Sequence, residues 1–522
     1  MSSKNVILTG FMGTGKSAVG QALARRLGYR FVDSDALIEE QAGKTVAEIF
    51  SSAGEATFRE LERAVSAQLA SEKSVVIATG GRLMLDPQNA RQLGSSGRVF
   101  CLTASPDEIL KRLRTEEGKR PLLDVADPRT RIKELLAERA TGYGQFAQID
   151  TDDKSVEEVA REIERIMKAN IIEVRYPHGR YNVLIGSGLL ENLRDLVGID
   201  GPMAVITDSN VGPLYQELVS DGLVITMPAG EKFKTLATVN ELYSKLLAAG
   251  LDRQGTVIAL GGGVVGDVAG FAAATYMRGV NFVQAPTSLL AMVDASVGAK
   301  TGVDLPEGKN LVGSFKQPEA VLADLETLRT LPDVEFSSGM AEVIKSGIID
   351  DANLFELIES QAEQLTSGKD AGVDLLAEIV GRSVGVKRKI VEEDPFEKGR
   401  RAVLNLGHTF GHAVEQVSGY TVRHGEAVAM GMVAAAHLSA AMGYCDPGLE
   451  PRIAVLLQRT SLPVRIPGQW AAEEIYAAMA SDKKRAAGRL RFILVRDIGD
   501  VFVADQVAEN AVLETLCHCG AA

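Results

Sequence analysis

Residues 404–426, LNLGHTFGHAVEQVSGYTVRHGE, contain three of the six histidines in a chain of 522 residues. His408 and His412 are four positions apart, so on a helix their side chains project from one face. His424 follows a glycine-containing turn that can bring it alongside them. Two imidazoles and one carboxylate from another element would bind zinc and leave its fourth position open. The alternative is a helix whose histidines are ordinary surface or core residues.

The charge is unevenly distributed along the chain. The net charge is −13, yet residues 1–168 contain 25 basic and 25 acidic residues, so the whole excess lies in residues 169–522. Such a surface argues against nucleic acid or an anionic membrane as a partner. Anionic small molecules must then be bound by local clusters of Lys and Arg.

At about 150 residues per domain, the length predicts three or four domains.

Four cysteines are present, and their positions show no disulfide framework. This spacing and the lack of a recognisable signal peptide predict a cytoplasmic location. Cys517, His518 and Cys519 are potential metal ligands, but the sequence offers no second pair of the usual spacing to complete such a site.

A glycine-rich loop follows the apolar strand predicted at residues 5–9. GFMGTGKS, residues 10–17, fits G-x-x-x-x-G-K-[ST]. In this motif main-chain N–H groups surround phosphates, the lysine reaches the β and γ phosphates, and the hydroxyl holds Mg²⁺. The sequence therefore predicts an ATP site formed by Gly13, Thr14, Gly15, Lys16, Ser17 and Ala18.

The rest of residues 1–168 alternates strands and helices, which predicts a doubly wound parallel sheet with ligands at the carboxyl ends of its strands. FVDSD, residues 31–35, is read as a strand end with two acids, one for the metal and one for proton transfer. RLRTEEGKRPLL, residues 112–123, has the composition of a mobile lid or of a solvated helix.

These motifs occur in the order and spacing of shikimate kinases, which this part of the chain resembles over nearly all its length. The resemblance rests on GFMGTGKS, DSD (33–35), FRE (58–60), TGG (79–81) and RPLL (120–123). It implies Mg²⁺ at Ser17 and Asp33 and catalysis by Asp35 and by Arg120, which would close on ATP. It also implies that shikimate is bound by Asp35, Arg59, Gly81 and Arg139. Arg82 replaces a third glycine of the family, so the alternative is a nucleotide-binding module without kinase activity.

A different set of motifs begins after a predicted helix that joins the two parts near residue 168. A strand at residues 203–208 ends in Asp208, and GGGVVGD, residues 261–267, contains G-x-G-x-x-G after a strand, which suggests a dinucleotide. Glycines that merely permit close helix packing are the alternative. Arg278, Lys300 and Lys309 are cations among glycines and predict a receptor for phosphate and carboxylate. Glu342 and Lys345 share a helix face, so Glu342 can supply the carboxylate for the histidines.

As a set, these motifs resemble 3-dehydroquinate synthase over about residues 170–510. They are PAGEKFK (228–234), GGGVVGD, PTSLLAMVDASVGAKTGV (286–303), GKNLVGSF (308–315), GMAEVIK (339–345), NLGHTFGHAVE (405–415) and RHGEAVAMGM (423–432). The resemblance implies zinc, or another divalent metal such as cobalt, on Glu342, His408 and His424. The NAD site it implies comprises Asp208, Gly230, Glu231, Lys232, Lys234, Gly263, Val264, Val265, Gly266, Asp267, Thr287, Ser288, Lys300, Lys309, Thr327, Leu328, Arg329 and Thr330.

The same resemblance implies a heptulosonate phosphate site. Its residues would be Arg278, Asp294, Lys300, Lys309, Asn310, Lys345, Lys387, Arg401, Asn405 and His412, with either Lys483 or Lys484. Lys300, Lys345 and His412 would act in catalysis. Zinc and NAD⁺ would oxidise a hydroxyl transiently, phosphate would leave, and an aldol closure would form the carbocycle. A related sugar phosphate cyclase or a zinc polyol dehydrogenase is the alternative.

The predicted fold is α/β throughout most of the chain. We expect a P-loop kinase domain at residues 1–168, a Rossmann-like NAD-binding α/β domain at 169–331 and a mainly α-helical metal-binding domain at 332–522. The resemblance also implies a homodimer formed through the synthase part, acting on small molecules.

Overall fold

The computed structural model describes residues 4–115, 127–199, 201–219, 222–397, 399–484 and 490–522. The chain divides into two compact units, Met1–Lys168 and Ala169–Ala522. None of the described helices is both long and apolar enough to cross a membrane.

The first unit is built on a five-stranded parallel sheet with strand order β2-β3-β1-β4-β5. The strands are β1 (Asn5–Gly10), β2 (Arg30–Asp33), β3 (Val75–Ala78), β4 (Gly97–Thr103) and β5 (Ala147–Asp150). The helices are α1 (Lys16–Leu27), α2 (Ser34–Ala42), α3 (Val46–Ala70), α4 (Pro87–Ser96), α5 (Pro106–Thr115), α6 (Pro128–Tyr143) and α7 (Val156–Lys168). β1 and β3 are buried along their whole length, as expected for parallel strands covered by helices on both faces.

One strand boundary differs from the expectation. β2 ends at Asp33, and Asp35 lies in the first turn of α2 instead of on the strand. The Asp33 carboxylate accepts hydrogen bonds from the main-chain N–H groups of Asp35 and Ala36. This N-cap satisfies two otherwise unpaired donors and starts the helix there.

The second unit begins with a seven-stranded sheet of order β6-β7-β14-β11-β10-β8-β9. Six strands are parallel and β6 is antiparallel to β7. The strands are β6 (Asn170–Tyr176), β7 (Gly179–Gly186), β8 (Met203–Asp208), β9 (Leu223–Met227), β10 (Thr256–Gly261), β11 (Asn281–Pro286) and β14 (Ala320–Asp324). A separate hairpin is formed by β12 (Lys300–Leu305) and β13 (Gly308–Phe315), and the helices are α8 (Leu193–Val197), α9 (Gly212–Val219), α10 (Leu236–Ala248) and α11 (Gly263–Thr275).

The remaining residues are mainly helical. The helices are α12 (Asp333–Asp350), α13 (Ala352–Gln361), α14 (Val373–Glu393), α15 (His408–Val417), α16 (His424–Ala441), α17 (Leu449–Arg459), α18 (Ala472–Lys484) and α19 (Glu509–His518), with a hairpin of β15 (Phe492–Asp497) and β16 (Asp500–Ala504). α12 and α16 are buried on nearly all sides. Both helices therefore lie within the core of this part, and α12 carries two charged side chains, Glu342 and Lys345, into it.

Candidate active sites

Glu342, His408 and His424 come together where α12, α15 and α16 meet. The Nε2 atoms of His408 and His424 lie 3.8 and 3.6 Å from Oε1 of Glu342. Ligand atoms around tetrahedral zinc are about 3.3 Å apart at the usual bond lengths, so small side-chain rotations would complete the site. Both carboxylate oxygens of Glu342 are buried; Oε2 forms an ion pair with Lys345, while Oε1 faces the two Nε2 atoms. A divalent cation would bind Oε1 together with the two imidazole nitrogens, so these residues fit a metal.

Two glycines allow the three helices to approach so closely. A Cβ atom on Gly425 would lie 2.1 Å from the carbonyl oxygen of Ser338 on α12, and one on Gly431 would lie 2.0 Å from that of Gly407 at the start of α15. Side chains at these positions would push the helices apart. The glycines therefore determine how near His424, on α16, comes to its partners.

The electrostatics of the triad keep Glu342 ionised and His408 neutral, the states in which each can bind a metal. Burial raises the pKa of Glu342, but the Lys345 ammonium and then the imidazoles outweigh burial and hold that pKa well below its usual range. Burial and the Lys345 charge lower the pKa of His408 well below its usual value. Because Nδ1 of His408 lies 3.1 Å from the carbonyl oxygen of Leu406, the neutral ring carries its proton there and turns the Nε2 lone pair towards Glu342.

His424 has a second carboxylate behind it. Its Nδ1 atom lies 3.4 Å from Oε2 of Glu415. Burial alone lowers the pKa of His424, but hydrogen bonds to Glu342 and Glu415 outweigh it and raise that pKa to about 9. The sequence analysis missed Glu415, although it follows His408 by seven positions and His412 by three, a spacing that places all three on one helix face.

The Lys309 ammonium contacts one residue next to the triad of Glu342, His408 and His424 and one residue in the loop expected to bind NAD. Its Nζ atom lies 3.6 Å from Oε1 of Glu415 and 3.8 Å from Oε1 of Glu231. It also lies over the ring of Tyr420, 4.5 Å from the centroid. Two expected sites, the metal site and the NAD loop at Glu231, therefore lie within reach of one lysine side chain.

Most residues expected to bind NAD follow the carboxyl ends of parallel strands. Asp208 ends β8, residues 230–234 follow β9, residues 263–267 follow β10, Thr287 and Ser288 follow β11, and residues 327–330 follow β14. The chain proceeds outward from β8 to β9 and then returns through β10, β11 and β14. The order of strands thus reverses beside β8 and β10, where open α/β sheets form ligand crevices. Lys234 is buried there, 2.6 Å from Oδ2 of Asp267.

The cations expected to bind substrate are held by defined partners. Lys345 forms an ion pair with Glu342 and Lys300 forms one with Glu397. The side chains of Lys387 and Arg401 are buried and donate to the loop that follows β11. Lys387 donates to both the carbonyl and the carboxylate of Asp294, and Arg401 donates to the carbonyl of Gly298. Asp294 lies in a π-helical turn, Ala291–Ala295, a feature that is frequent at functional sites.

Arg278 lies apart from the other residues expected to bind substrate. α11 runs from the carboxyl edge of the sheet back to the amino edge, and Arg278 lies beyond its end, before β11 begins. Within one chain, Arg278 therefore lies at the opposite edge from the other expected substrate residues. Its backbone is left-handed, with φ of 68°, a conformation that is costly for a residue other than glycine.

The last of the expected substrate residues are His412, Asn405, Asn310 and either Lys483 or Lys484. The ring centroid of His412, which is exposed, lies 5.1 Å from that of His408. Asn405 is exposed and Asn310 has a left-handed backbone, with φ of 55°. Lys483 and Lys484 end α18, which packs against α15, but their side chains lie outside the described part.

In the first unit, the loop between β1 and α1 has the form of a phosphate site. Gly13 and Gly15 have φ of 77° and 89°. The Lys16 ammonium donates to the carbonyls of Gly10 and Phe11 at 3.0 and 2.9 Å. The main chain of the helix starting at Lys16 then presents N–H groups towards an anion.

A metal position can be inferred next to this loop. The Ser17 hydroxyl donates to Oδ2 of Asp33 at 2.8 Å. Both groups offer oxygen ligands, which Mg²⁺ prefers. The two residues expected to hold magnesium are thus adjacent. Arg120, the expected lid arginine, lies outside the described residues.

The acceptor residues gather around the glycines after β3. A Cβ atom on Gly80 would lie 2.5 Å from Oδ1 of Asp35, and one on Gly81 would lie 3.7 Å from Nη1 of Arg139. Burial, and then the charge of Asp33, raise the pKa of Asp35. A raised pKa suits a group that accepts a proton during catalysis.

Arg82 fits its backbone. Its φ and ψ are −121° and −9°, so this position does not require glycine. The side chain is 52% exposed, with Nη1 4.0 Å from Oε1 of Glu55. Arg59, expected to bind substrate, contacts the same oxygen at 2.8 Å. The substitution thus adds a guanidinium beside an expected acceptor residue without straining the loop.

Known proteins match both parts of the chain. Residues 12–168 match the family model for shikimate kinase. Residues 224–338 and 339–485 match those for the N-terminal and C-terminal parts of 3-dehydroquinate synthase. A 3-dehydroquinate synthase of Synechocystis sp. is 46% identical over 360 residues, which cover 67% of this chain and 99% of the relative. The chain belongs to the 3-dehydroquinate synthase family. It carries a shikimate kinase domain before the synthase part, so both resemblances are confirmed.

Other relatives agree with this assignment. The 3-dehydroquinate synthase of Pelobacter propionicus is 47% identical over 353 residues, or 65% of this chain and 97% of the relative. Among solved structures, a 2-epi-5-epi-valiolone synthase of Streptomyces hygroscopicus with NAD⁺ and Zn²⁺ bound is 28% identical with a TM-score of 0.62, covering 66% of this chain and 98% of its own. A 2-deoxy-scyllo-inosose synthase with carbaglucose-6-phosphate, NAD⁺ and Co²⁺ is 26% identical with a TM-score of 0.61, covering 67% and 100%. The expected α/β fold class is confirmed.

Proposed function

We propose that the chain catalyses two reactions of the shikimate pathway. The synthase part would convert 3-deoxy-arabino-heptulosonate 7-phosphate to 3-dehydroquinate with release of phosphate, and the kinase part would phosphorylate shikimate with ATP. The contact that carries the synthase proposal is made by Lys309, which lies within 4 Å of both Glu231 and Glu415. These two contacts support a shared cleft in which the dinucleotide and the metal would both lie next to one substrate.

In this proposal Glu342, His408 and His424 hold the divalent metal. When bound, NAD⁺ and the metal would supply the reversible oxidation of a substrate hydroxyl that makes the neighbouring proton removable. Lys345, Lys387 and Arg401, held by fixed partners, would bind the phosphate and carboxylate without reorganising. His412, exposed beside His408, would handle protons at the substrate.

The synthase activity is tested with heptulosonate phosphate, NAD⁺ and Zn²⁺ or Co²⁺. We expect stoichiometric phosphate and dehydroquinate without accumulation of NADH, because the hydride returns to the substrate. A zinc polyol dehydrogenase would instead accumulate NADH. A related cyclase would leave heptulosonate phosphate unchanged.

For the kinase we propose that Lys16 and Arg120 bind ATP, that Ser17 and Asp33 hold Mg²⁺, and that Asp35 accepts the hydroxyl proton. Arg59, Gly81 and Arg139 would bind shikimate, with guanidinium groups pairing its carboxylate. ADP formation that depends on shikimate tests this proposal. A nucleotide-binding module would bind ATP without acceleration by shikimate.

We also propose three domains, at residues 1–168, 169–331 and 332–522. The mixed sheet of β6–β11 and β14 and the helices from α12 onward support the second boundary. The homodimer and the cytoplasmic location stay predictions; analytical ultracentrifugation tests the former and cell fractionation the latter.

A further inference from the structure

A second cluster of metal-ligating side chains lies apart from the catalytic triad. His437 on α16, Glu450 in the first turn of α17 and His518 at the end of α19 each offer one ligand atom, and these atoms lie within 4.8 Å of one another. Nδ1 of His437 lies 2.8 Å from Oε2 of Glu450, and Nε2 of His518 lies 3.1 Å from Oε1. One carboxylate thus bridges two imidazoles from separate helices.

The two imidazoles are stacked, with centroids 3.7 Å apart and planes inclined by 12°. Among the residues that the structure describes, no Lys or Arg lies within 4.0 Å of the Glu450 carboxylate, and its ion-pair partners are these two histidines. Stacked imidazoles cannot both be protonated without repelling each other. Arg465 lies nearby and donates to the main-chain carbonyl of His518 at 3.4 Å, but the ion pairs of the Glu450 carboxylate are those with the two histidines. The two imidazoles and the carboxylate can therefore offer nitrogen and oxygen ligands to one cation.

We propose that His437, Glu450 and His518 form a second binding site for a divalent transition metal, which attaches the C-terminal helix α19 to α16 and α17. Two nitrogens and one carboxylate oxygen are a ligand set typical of zinc, with its remaining position open to water. Mg²⁺ and Ca²⁺ prefer oxygen ligands and are not expected there. Affinity rises from Co²⁺ to Cu²⁺ in the usual order for nitrogen ligands.

The site is distinct from the triad. His424 begins α16 and His437 follows thirteen positions later, which is about 20 Å along a helix. The two sites therefore bind separate ions. The exposed fractions of the side chains of His437, Glu450 and His518 are 22%, 21% and 50%, so an ion can enter from solvent.

The cysteines next to His518 do not contribute ligands in this arrangement. Cys519 is buried, and its sulfur is not among the ligand atoms that meet at the cluster in the part of the chain that the structure describes. Cys517 is exposed, and the ligand atoms that meet at the cluster belong to His437, Glu450 and His518. The metal set is formed by tertiary contacts instead of by the Cys517-His518-Cys519 triplet.

The test measures how many metal ions bind to each full-length chain. Bound metal is first removed with a chelator, and the chelator is then removed by dialysis. Titration with Co²⁺, followed by calorimetry and by visible absorption, should show two equivalents for the wild type and one for His518→Gln. Glu450→Gln, which keeps the shape of the side chain, should weaken the second equivalent at least tenfold. Formation of dehydroquinate should be unchanged in both variants, since neither residue belongs to the proposed catalytic machinery.

Three controls separate this site from the alternatives. His178→Gln, at an exposed hairpin turn, and Cys517→Ser should both retain two equivalents. Glu342→Gln should lose the metal equivalent bound at the catalytic triad and keep the one bound at the second site. The double variant Glu342→Gln/His518→Gln should lose both equivalents. One equivalent in the wild type, or two in a folded His518→Gln variant, would overturn the proposal. Loss of the second equivalent in Cys517→Ser would also overturn it, in favour of the cysteine triplet.

Discussion

Glu415 lies directly behind His424, with its Oε2 atom 3.4 Å from Nδ1 of the imidazole. A carboxylate in this position fixes the orientation of the ring and raises its basicity as a ligand. The same carboxylate lies 3.6 Å from the Lys309 ammonium. Glu415 can therefore orient and polarise His424 in the proposed metal site.

For Glu415→Gln we predict a loss of about 10–100-fold in metal affinity at the catalytic site, as is usual when such a supporting carboxylate is changed. This loss of affinity is measured as an increase in the metal concentration that gives half-maximal dehydroquinate formation. At saturating metal much of the activity should return. Glu378→Gln, an exposed acid on α14, is the matched control and should not change the curve; equal curves for both variants would refute the role of Glu415.

We predict that Asp294→Asn shifts the pH dependence of substrate binding. Burial lowers the pKa of Lys387, while the charge of Asp294 opposes this shift. The ammonium is charged below its pKa, so substrate anions bind less well as pH rises through it. Without the Asp294 charge that pKa falls further, and KM should begin to rise at a lower pH than in the wild type. In a Lys387→Arg variant the rise of KM at high pH should disappear, because guanidinium keeps its charge.

The close contact of α15 and α16 leads to a stability prediction. Gly431→Ala should reduce the free energy of unfolding of the synthase part by about 1–3 kcal/mol through overpacking, since its Cβ would meet the carbonyl of Gly407. It should also weaken metal binding by displacing His424. Gly385→Ala, on α14 with open space around it, should instead stabilise by about 0.5–1 kcal/mol. Chemical denaturation measures both, and equal effects would contradict the packing argument.

For the kinase, Asp35→Asn should lower kcat by about 10²–10⁴-fold, as expected for loss of a general base. The KM for ATP should change little, because Lys16 and the phosphate loop remain. Asp107→Asn, an exposed acid that pairs with Arg129, is the control and should leave kcat intact. Wild-type kcat in Asp35→Asn would show that another group accepts the proton.

Arg82→Gly should change the kinase rate by less than about fivefold, because the exposed ion pair between Arg82 and Glu55 is worth at most about 1 kcal/mol. The wild type is thus expected to be an active kinase. ADP formation with varied shikimate measures this. If only the glycine variant responds to shikimate, Arg82 is inhibitory and the prediction is wrong.

The sequence alone was sufficient to predict features that depend on one continuous segment of the chain. The loop at residues 10–17 and the histidines of 404–426 are continuous segments, and their glycines and helical spacing directly specify turns and faces. Alternating strands and helices predicted parallel sheets, and most expected NAD residues then follow the carboxyl ends of strands because all parallel strands end at one edge.

Tertiary structure decided what depends on residues far apart in the chain. The distance from Glu342 to His424, the support from Glu415 and the placement of Arg278 at the opposite edge all follow from how α11, α12, α15 and α16 pack. The meeting of His437 and Glu450 with His518 has the same origin, since sequence does not show which turns of α16, α17 and α19 face one another. Contacts between helices are set by the fit of whole surfaces, in which one glycine such as Gly431 changes the separation, and no local pattern encodes that fit.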